Sequence, residues 1–104
     1  MKTLICGSLA YDTVLKFPDR FSNYLIAEHI KNLSVCFVST EMRREFGGAA
    51  GNIAYNLKLL GGQPVLMGTV GRDFIDYREW LKKCEIPDTF VKEVEEVYTA
   101  QCVI

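Results

Sequence analysis

The 104-residue sequence has no C-x-x-C pair, no cluster of histidines, no long apolar run and no marked excess of either charge. Each absence removes a class of function. Cys6, Cys36, Cys84 and Cys102 lie far apart and His29 is the one histidine, so neither a zinc site nor a thioredoxin-like motif is supported. Cys6, Cys36 and Cys102 sit in apolar runs and are expected as buried free thiols in a reducing compartment. His29 has no nucleophile or metal partner near it in sequence and reads as a surface or capping residue. Lysine and arginine number 12 against 13 acids, and a net charge of −1 offers no electrostatic footprint for nucleic acid or an acidic membrane. Lys82, Lys83 and Lys92 are spaced among acids and read as solvated faces. The apolar stretch from Leu4 to Leu9 is too short for a signal-peptide core, and nothing approaches the roughly 20 apolar residues of a membrane span. The expectation is a cytoplasmic protein.

What is present is a small globular chain, 49% hydrophobic, organised around Arg43 to Gly62 (RREFGGAAGNIAYNLKLLGG). From Ala49 to Leu60 there is no proline and no β-branched run. Ala50, Ile53, Ala54, Leu57 and Leu60 recur at three- and four-residue spacing and predict one buried helical face. Gly61 and Gly62 supply the left-handed conformation that ends helices, and Pro64 forbids continuation. At the start, Gly47 and Gly48 remove two side chains, so a ligand could reach the backbone and the first-turn N–H groups. Asn52 lies in that turn with an amide that both donates and accepts, which suits hydroxyls better than a bare anion. A tight, closely packed turn explains the same two glycines equally well. The stretch is neither a P-loop, since no Lys-Ser/Thr pair follows, nor a strict G-x-G-x-x-G.

Thr3 to Leu9 predicts a buried first strand, with Asp12 three residues beyond it, where ligands gather in open α/β sheets. Asp12 then either grips a hydroxyl or merely caps a turn. Asp19 to Asn32 reads as a loop with one helical turn, and Leu33 to Ser39 and Met42 to Phe46 as two strands of a lid or flap. Pro64 to Val70 is a buried-type strand, and Gly71-Arg72-Asp73 a turn. Phe74 to Cys84 is an amphipathic helix with Tyr77, Trp80, Leu81 and Cys84 on one face, which makes Trp80 a core residue rather than a stacking platform. Pro87 and Asp88 mark a turn before two strands in a hairpin-like arrangement, Phe90 to Val94 and Val97 to Ile104. The βαβ order requires a parallel sheet covered on both faces, and two helices cover it incompletely. A longer protein is therefore expected, and an isolated 104-residue chain should associate through its uncovered edge.

Taken together, GSLAYD at 7–12, GGAAGNIAYNLKLLGG at 47–62, LMGTVGRD at 66–73 and YTAQCVI at 98–104 resemble the N-terminal third of the ribokinase-like kinases, the PfkB family of sugar and nucleoside kinases. The resemblance covers essentially the whole chain. It implies a three-layer α/β/α domain, partial here, with β-strand lid elements, in an enzyme that moves the γ-phosphate of ATP, with Mg2+, to a hydroxymethyl group. By motif, Asp12 resembles the family acid that binds substrate hydroxyls. Gly47, Gly48 and Asn52 resemble the loop and helix start that hold the sugar, and Thr99 and Gln101 the lid strand over it. The separate spacings agree, which favours the binding roles of Asp12 and the double glycine over the turn readings. The implied partner is a small sugar or nucleoside, with adenosine or a ribose-like acceptor favoured and a homodimer through lid strands open.

The family's second signature, a Gly-Ala-Gly-Asp type sequence with the catalytic base, is absent, so these 104 residues alone should not phosphorylate anything. Asp76 also replaces a glycine usual in the family, which puts the local turn in question. Against the kinase reading stands a truncated, non-catalytic module that binds ligand or self-associates. A dehydrogenase-type nucleotide-binding half is disfavoured: Arg72 and Asp73 lie roughly 20 residues past Gly51, but these glycines do not follow the first strand.

Overall fold

The computed structural model describes residues 1–18 and 38–104. Within them the order is β1 (Lys2–Cys6), β2 (Ala10–Lys16), β3 (Glu41–Gly47), α1 (Ala49–Leu59), β4 (Gln63–Gly71), α2 (Ile75–Lys83), β5 (Phe90–Val94) and β6 (Ala100–Val103). The strands form two sheets. In the first, β4 lies between β1 and β5 and pairs with both in parallel. In the second, β2 lies between β3, which is antiparallel to it, and β6, which is parallel. No helix among the described residues is long and apolar enough to cross a membrane.

Parallel neighbours need a crossover, and α1 and α2 provide it on either side of β4. The core gathers where α1 meets the parallel sheet: Ile5, Leu66 and Val70 from the strands, Ala50 and Ala54 from α1, and Phe74, Tyr77 and Leu81 around α2. Burying a side chain such as Leu66 contributes about 1.5–3 kcal/mol. The opposite face is bare: Leu4, Met67 and Phe90 are exposed, so only one of the two outer layers of an α/β/α sandwich lies among the described residues.

Four expectations change. The first strand ends at Cys6 rather than Leu9, and the chain crosses at Gly7 and Ser8 into the second sheet. Asp12 therefore lies inside β2 and not in a loop beyond β1; the mixed pattern of AYDTVLK carries no signal of a buried strand. Next, β5 and β6 form no hairpin. β5 joins β4 and β6 joins β2, a choice of sheet that short-range pattern does not contain.

The buried face of α1 is also narrower than predicted. Ala50, Gly51 and Ala54 are buried and Leu57 partly so, while Ile53 and Leu60 point to solvent. Three-four spacing admits two adjacent stripes, and the smaller one wins because it lets the helix lie close to the chain at Gly7, where an added Cβ would stand 3.3 Å from that of Ala50. Finally, Cys6 and Cys102 are exposed and Cys84 half-buried, because β1 and β6 carry uncovered faces. Cys36, His29, the Asp19–Asn32 loop and residues 33–37 of the expected lid strand lie outside the described residues. The strand expected over Met42 to Phe46 is present as β3, and α2 shows the predicted stripe, with Tyr77 and Leu81 buried and Trp80 and Cys84 packed against the core. Asp76 disturbs nothing: it sits in the first turn of α2, where a negative charge is favourable, and its carboxylate lies 3.4 Å from Arg44.

Candidate functional site

The junction of β3 with α1 is built on Ser8. Its hydroxyl oxygen accepts from the Ala49 N–H at 3.0 Å, and its carbonyl accepts from the Ala50 N–H at 3.0 Å. Two of the donors that a helix start leaves unpaired are thus satisfied from within the chain, and are not offered to a ligand as the glycine pattern suggested. Gly48 caps the helix at φ +88, a conformation that side chains strain to adopt, and a Cβ there would lie 2.5 Å from the Ser8 carbonyl oxygen. Gly47 has a different reason: a Cβ there would collide with the carboxylate of Asp12. The first glycine clears the space that the acid occupies, and the second permits the turn.

Asp12 faces Glu45 across the β2–β3 ladder, in register. Together with Phe46, Asn52, Tyr55 and Trp80 they line a cleft of about 340 Å³, within the range typical of small-molecule sites. Asn52 and Tyr55 are three apart on α1 and so share a helix face. The structure thus brings Asp12 and Asn52 to one cleft with Gly47 against the acid, and Gly48 at the adjoining helix cap. Thr99 and Gln101 do not line it. Thr99 is buried, its hydroxyl oxygen accepting from the Gly71 N–H at 3.0 Å and its own N–H donating to Asp73 Oδ1 at 2.7 Å. Gln101 stands opposite Tyr11 on β6, and its amide donates to the Thr99 carbonyl at 3.3 Å.

Beneath the cleft a pair of tyrosines ties the lid sheet to α2. The Tyr11 hydroxyl donates to the Asp73 carbonyl at 2.8 Å and accepts from the Tyr77 N–H at 3.3 Å, while the Tyr77 hydroxyl donates to the Gly47 carbonyl at 2.7 Å. Burial raises the Tyr77 pKa far above its ordinary value, aided by the nearby charge of Asp12. Burial also raises Tyr11, opposed by its bond from Tyr77 and by Arg44, whose guanidinium lies 3.4 Å from the ring centroid. For Asp73 burial acts upward, but the hydrogen bonds from Thr99 outweigh it and hold the carboxyl below its usual range.

Glu45, Phe46, Tyr55 and Trp80 were not singled out as site residues from sequence. Phe46 and Glu45 immediately precede the glycines and Tyr55 follows Asn52 by three, which was the available signal. Trp80 both packs against the core and lines the cleft, so its stripe position told half of its role. A second depression of about 280 Å³, among Lys2, Lys58, Gln63 and Pro64, opens at the amino ends of β1 and β4, the end opposite to where open α/β sheets bind ligands.

The chain thus combines a parallel sheet, a small mixed sheet, and an acid-and-amide cleft lined by that mixed sheet and the two helices. Residues 23–104 match the pattern of the pfkB family carbohydrate kinases, and the chain belongs to that family. Among solved structures, the nucleoside kinase of Burkholderia thailandensis in complex with inosine is 44% identical, with a TM-score of 0.76 over 100% of this chain and 32% of that one. The nucleoside kinase of Methanocaldococcus jannaschii, an archaeal member of the ribokinase family, is 30% identical, with a TM-score of 0.74 over 99% of this chain and 32% of that one. Ribokinase from Cryptococcus neoformans var. grubii serotype A, in complex with ADP, shares the fold at 24% identity and a TM-score of 0.74, over 98% and 29%. The chain spans about a third of the length of the structures it matches.

Proposed function

We propose that this chain is the N-terminal, acceptor-binding portion of an ATP-dependent kinase that phosphorylates a hydroxymethyl group of a nucleoside or sugar, a ribose-containing compound such as adenosine being favoured. The observation that carries the reading is the convergence of Asp12 and Asn52 on one cleft, with Gly47 bare beside the acid. The Asp12 carboxylate accepts hydrogen bonds from acceptor hydroxyls, and the Asn52 carboxamide both donates and accepts. Among the described residues two acids and no base line this cleft, which favours a neutral polyol over a phosphate. The inosine-bound relative supports a ribose-containing acceptor.

ATP would supply the phosphoryl group, but the residues present do not fit it. The cleft is acidic, the Gly-Ala-Gly-Asp signature is missing from the sequence, and no group of three or more metal-ligating side chains occurs among the described residues. We assign nucleotide and Mg2+ to the remainder of the complete protein.

The test is the complete protein with ATP and a panel of nucleosides and sugars, beside its Asp12→Ala and Asn52→Ala variants. Each variant leaves acceptor hydroxyls without a partner, at about 1–3 kcal/mol, and should raise the acceptor KM accordingly. An unchanged KM in both variants rejects the assignment.

A further inference from the structure

The stretch that ends β4 and the one that enters β6 supply nothing to the lining of the acceptor cleft, yet they hold each other. Among the described residues the chain crosses between the two sheets three times, at 7–9, at Gly48 and at 95–99. Ser8 fastens the first two. The third is fastened at the turn after β4: the Arg72 N–H donates to the Val97 carbonyl at 2.9 Å and the Gly71 N–H to the Thr99 hydroxyl oxygen at 3.0 Å. The Thr99 N–H donates to Asp73 Oδ1 at 2.7 Å, the length of a charge-assisted bond. Gly71 has no side chain to spare, because a Cβ there would run into the Tyr98 backbone. Asp73 also reaches β2, since its carbonyl accepts from the hydroxyl of buried Tyr11 at 2.8 Å. One residue thus grips two lid strands that pair with each other, β2 by its main chain and the root of β6 by its carboxylate.

We propose that Asp73 is a positioning residue for the acceptor site: by holding Tyr11 and Thr99 together it sets where Asp12 stands in the cleft. The inference rests on the acceptor-binding reading above and adds to it a residue outside the cleft lining. Asp12 follows Tyr11 in β2, and side chains alternate along a strand, so the tyrosine enters the core while the acid turns to the cleft. Asp12 also stands in register with Cys102 on β6, three residues past Thr99. Both lines from Asp73 therefore end at the same carboxylate. The bonds of Gly71 and Arg72 already fasten the crossing, and what Asp73 adds is the link to β2. A binding group has to stand within about 0.5 Å of its productive place, so slack at either bond is felt at Asp12.

The experiment uses the complete enzyme with ATP, and with inosine and D-ribose as probe acceptors, equilibrium binding of each probe being measured without ATP. Asp73→Ala should raise the acceptor KM and dissociation constant roughly 10-fold and leave the KM of ATP unchanged. In an Asp12→Ala background the same change should add nothing, because no carboxylate is left to misplace. Asp73→Asn should recover most of the loss, since its amide oxygen can still accept from the Thr99 N–H. Tyr11→Phe keeps the core filled and the Asp73 carboxylate in place, cuts the other link, and should copy Asp73→Ala; it carries the test if Asp73→Ala does not fold. An equal loss in both Asp12 backgrounds, a KM of ATP that rises in step with that of the acceptor, or a lowered melting temperature with unchanged acceptor binding overturns the positioning role while the kinase reading stands. If Asp12→Ala itself leaves both probes unaffected, the acceptor-binding reading falls, and the positioning role falls with it.

Discussion

The hydroxyl of Tyr77, on α2, donates a 2.7 Å hydrogen bond to the carbonyl oxygen of Gly47, at the last position of β3. Through this contact the second helix holds the residue whose missing side chain makes room for Asp12. The fold and the candidate cleft meet at one buried oxygen.

Tyr77→Phe in the complete protein should therefore cost about 1–3 kcal/mol of stability, since the Gly47 carbonyl loses its donor in a dry site. Chemical denaturation measures this. A variant as stable as the parent would show that the bond contributes nothing net.

Gly51→Ala should be destabilising in an unusual place for a helix, where alanine is normally preferred over glycine. A Cβ at position 51 would run into the Tyr77 hydroxyl, and the tyrosine is fully buried and cannot swing away. We expect a loss of about 1–3 kcal/mol. In the double variant with Tyr77→Phe the loss should be less than the sum of the two, because removing the hydroxyl removes the clash. Strict additivity in melting experiments would contradict this.

Gly47→Ala should act on binding. The added methyl takes the position of the Asp12 carboxylate, which must turn out of the cleft. The acceptor KM should rise by an amount similar to that in Asp12→Ala, about 1–3 kcal/mol, and the Asp12→Ala/Gly47→Ala pair should be strongly non-additive. Steady-state kinetics with saturating ATP decides.

Alkaline pH should unfold the protein from the tyrosines outward. Tyr77 and Tyr11 have folded pKa values raised by burial above the ordinary tyrosine value of about 10. Below that pH both states hold these protons and stability does not depend on them. Above it the unfolded chain ionises while the folded one resists, so stability falls as pH rises toward the folded values. Tyr77→Phe should flatten the slope, and an unchanged slope would locate the alkaline sensitivity elsewhere.

On the acid side, Asp73 has the opposite sign. Its pKa is lowered in the fold by the Thr99 bonds, so its contribution is present above the ordinary carboxylate range and is lost as pH falls through the folded value. Asp73→Asn should reduce the acid dependence of melting temperature, which a pH series of thermal scans records.

The sequence by itself determined the elements whose cause is local. Gly61 at φ +87 stops α1, the stripe of Tyr77 and Leu81 shapes α2, and apolar β4 forms the middle of a parallel sheet, because chirality and side-chain period act within a few residues. The motifs also marked Asp12, Gly47 and Asn52 as a set. Tertiary structure decided which sheet each strand joined, since β5 and β6 look alike locally and only the free edges of β4 and β2 separate them. It also decided that the first-turn N–H groups belong to Ser8, that Thr99 fastens a turn, and that Phe46, Tyr55 and Trp80 close the cleft. Those relations join residues that lie tens of positions apart, where packing and buried hydrogen bonds choose the partner and no local pattern records the choice.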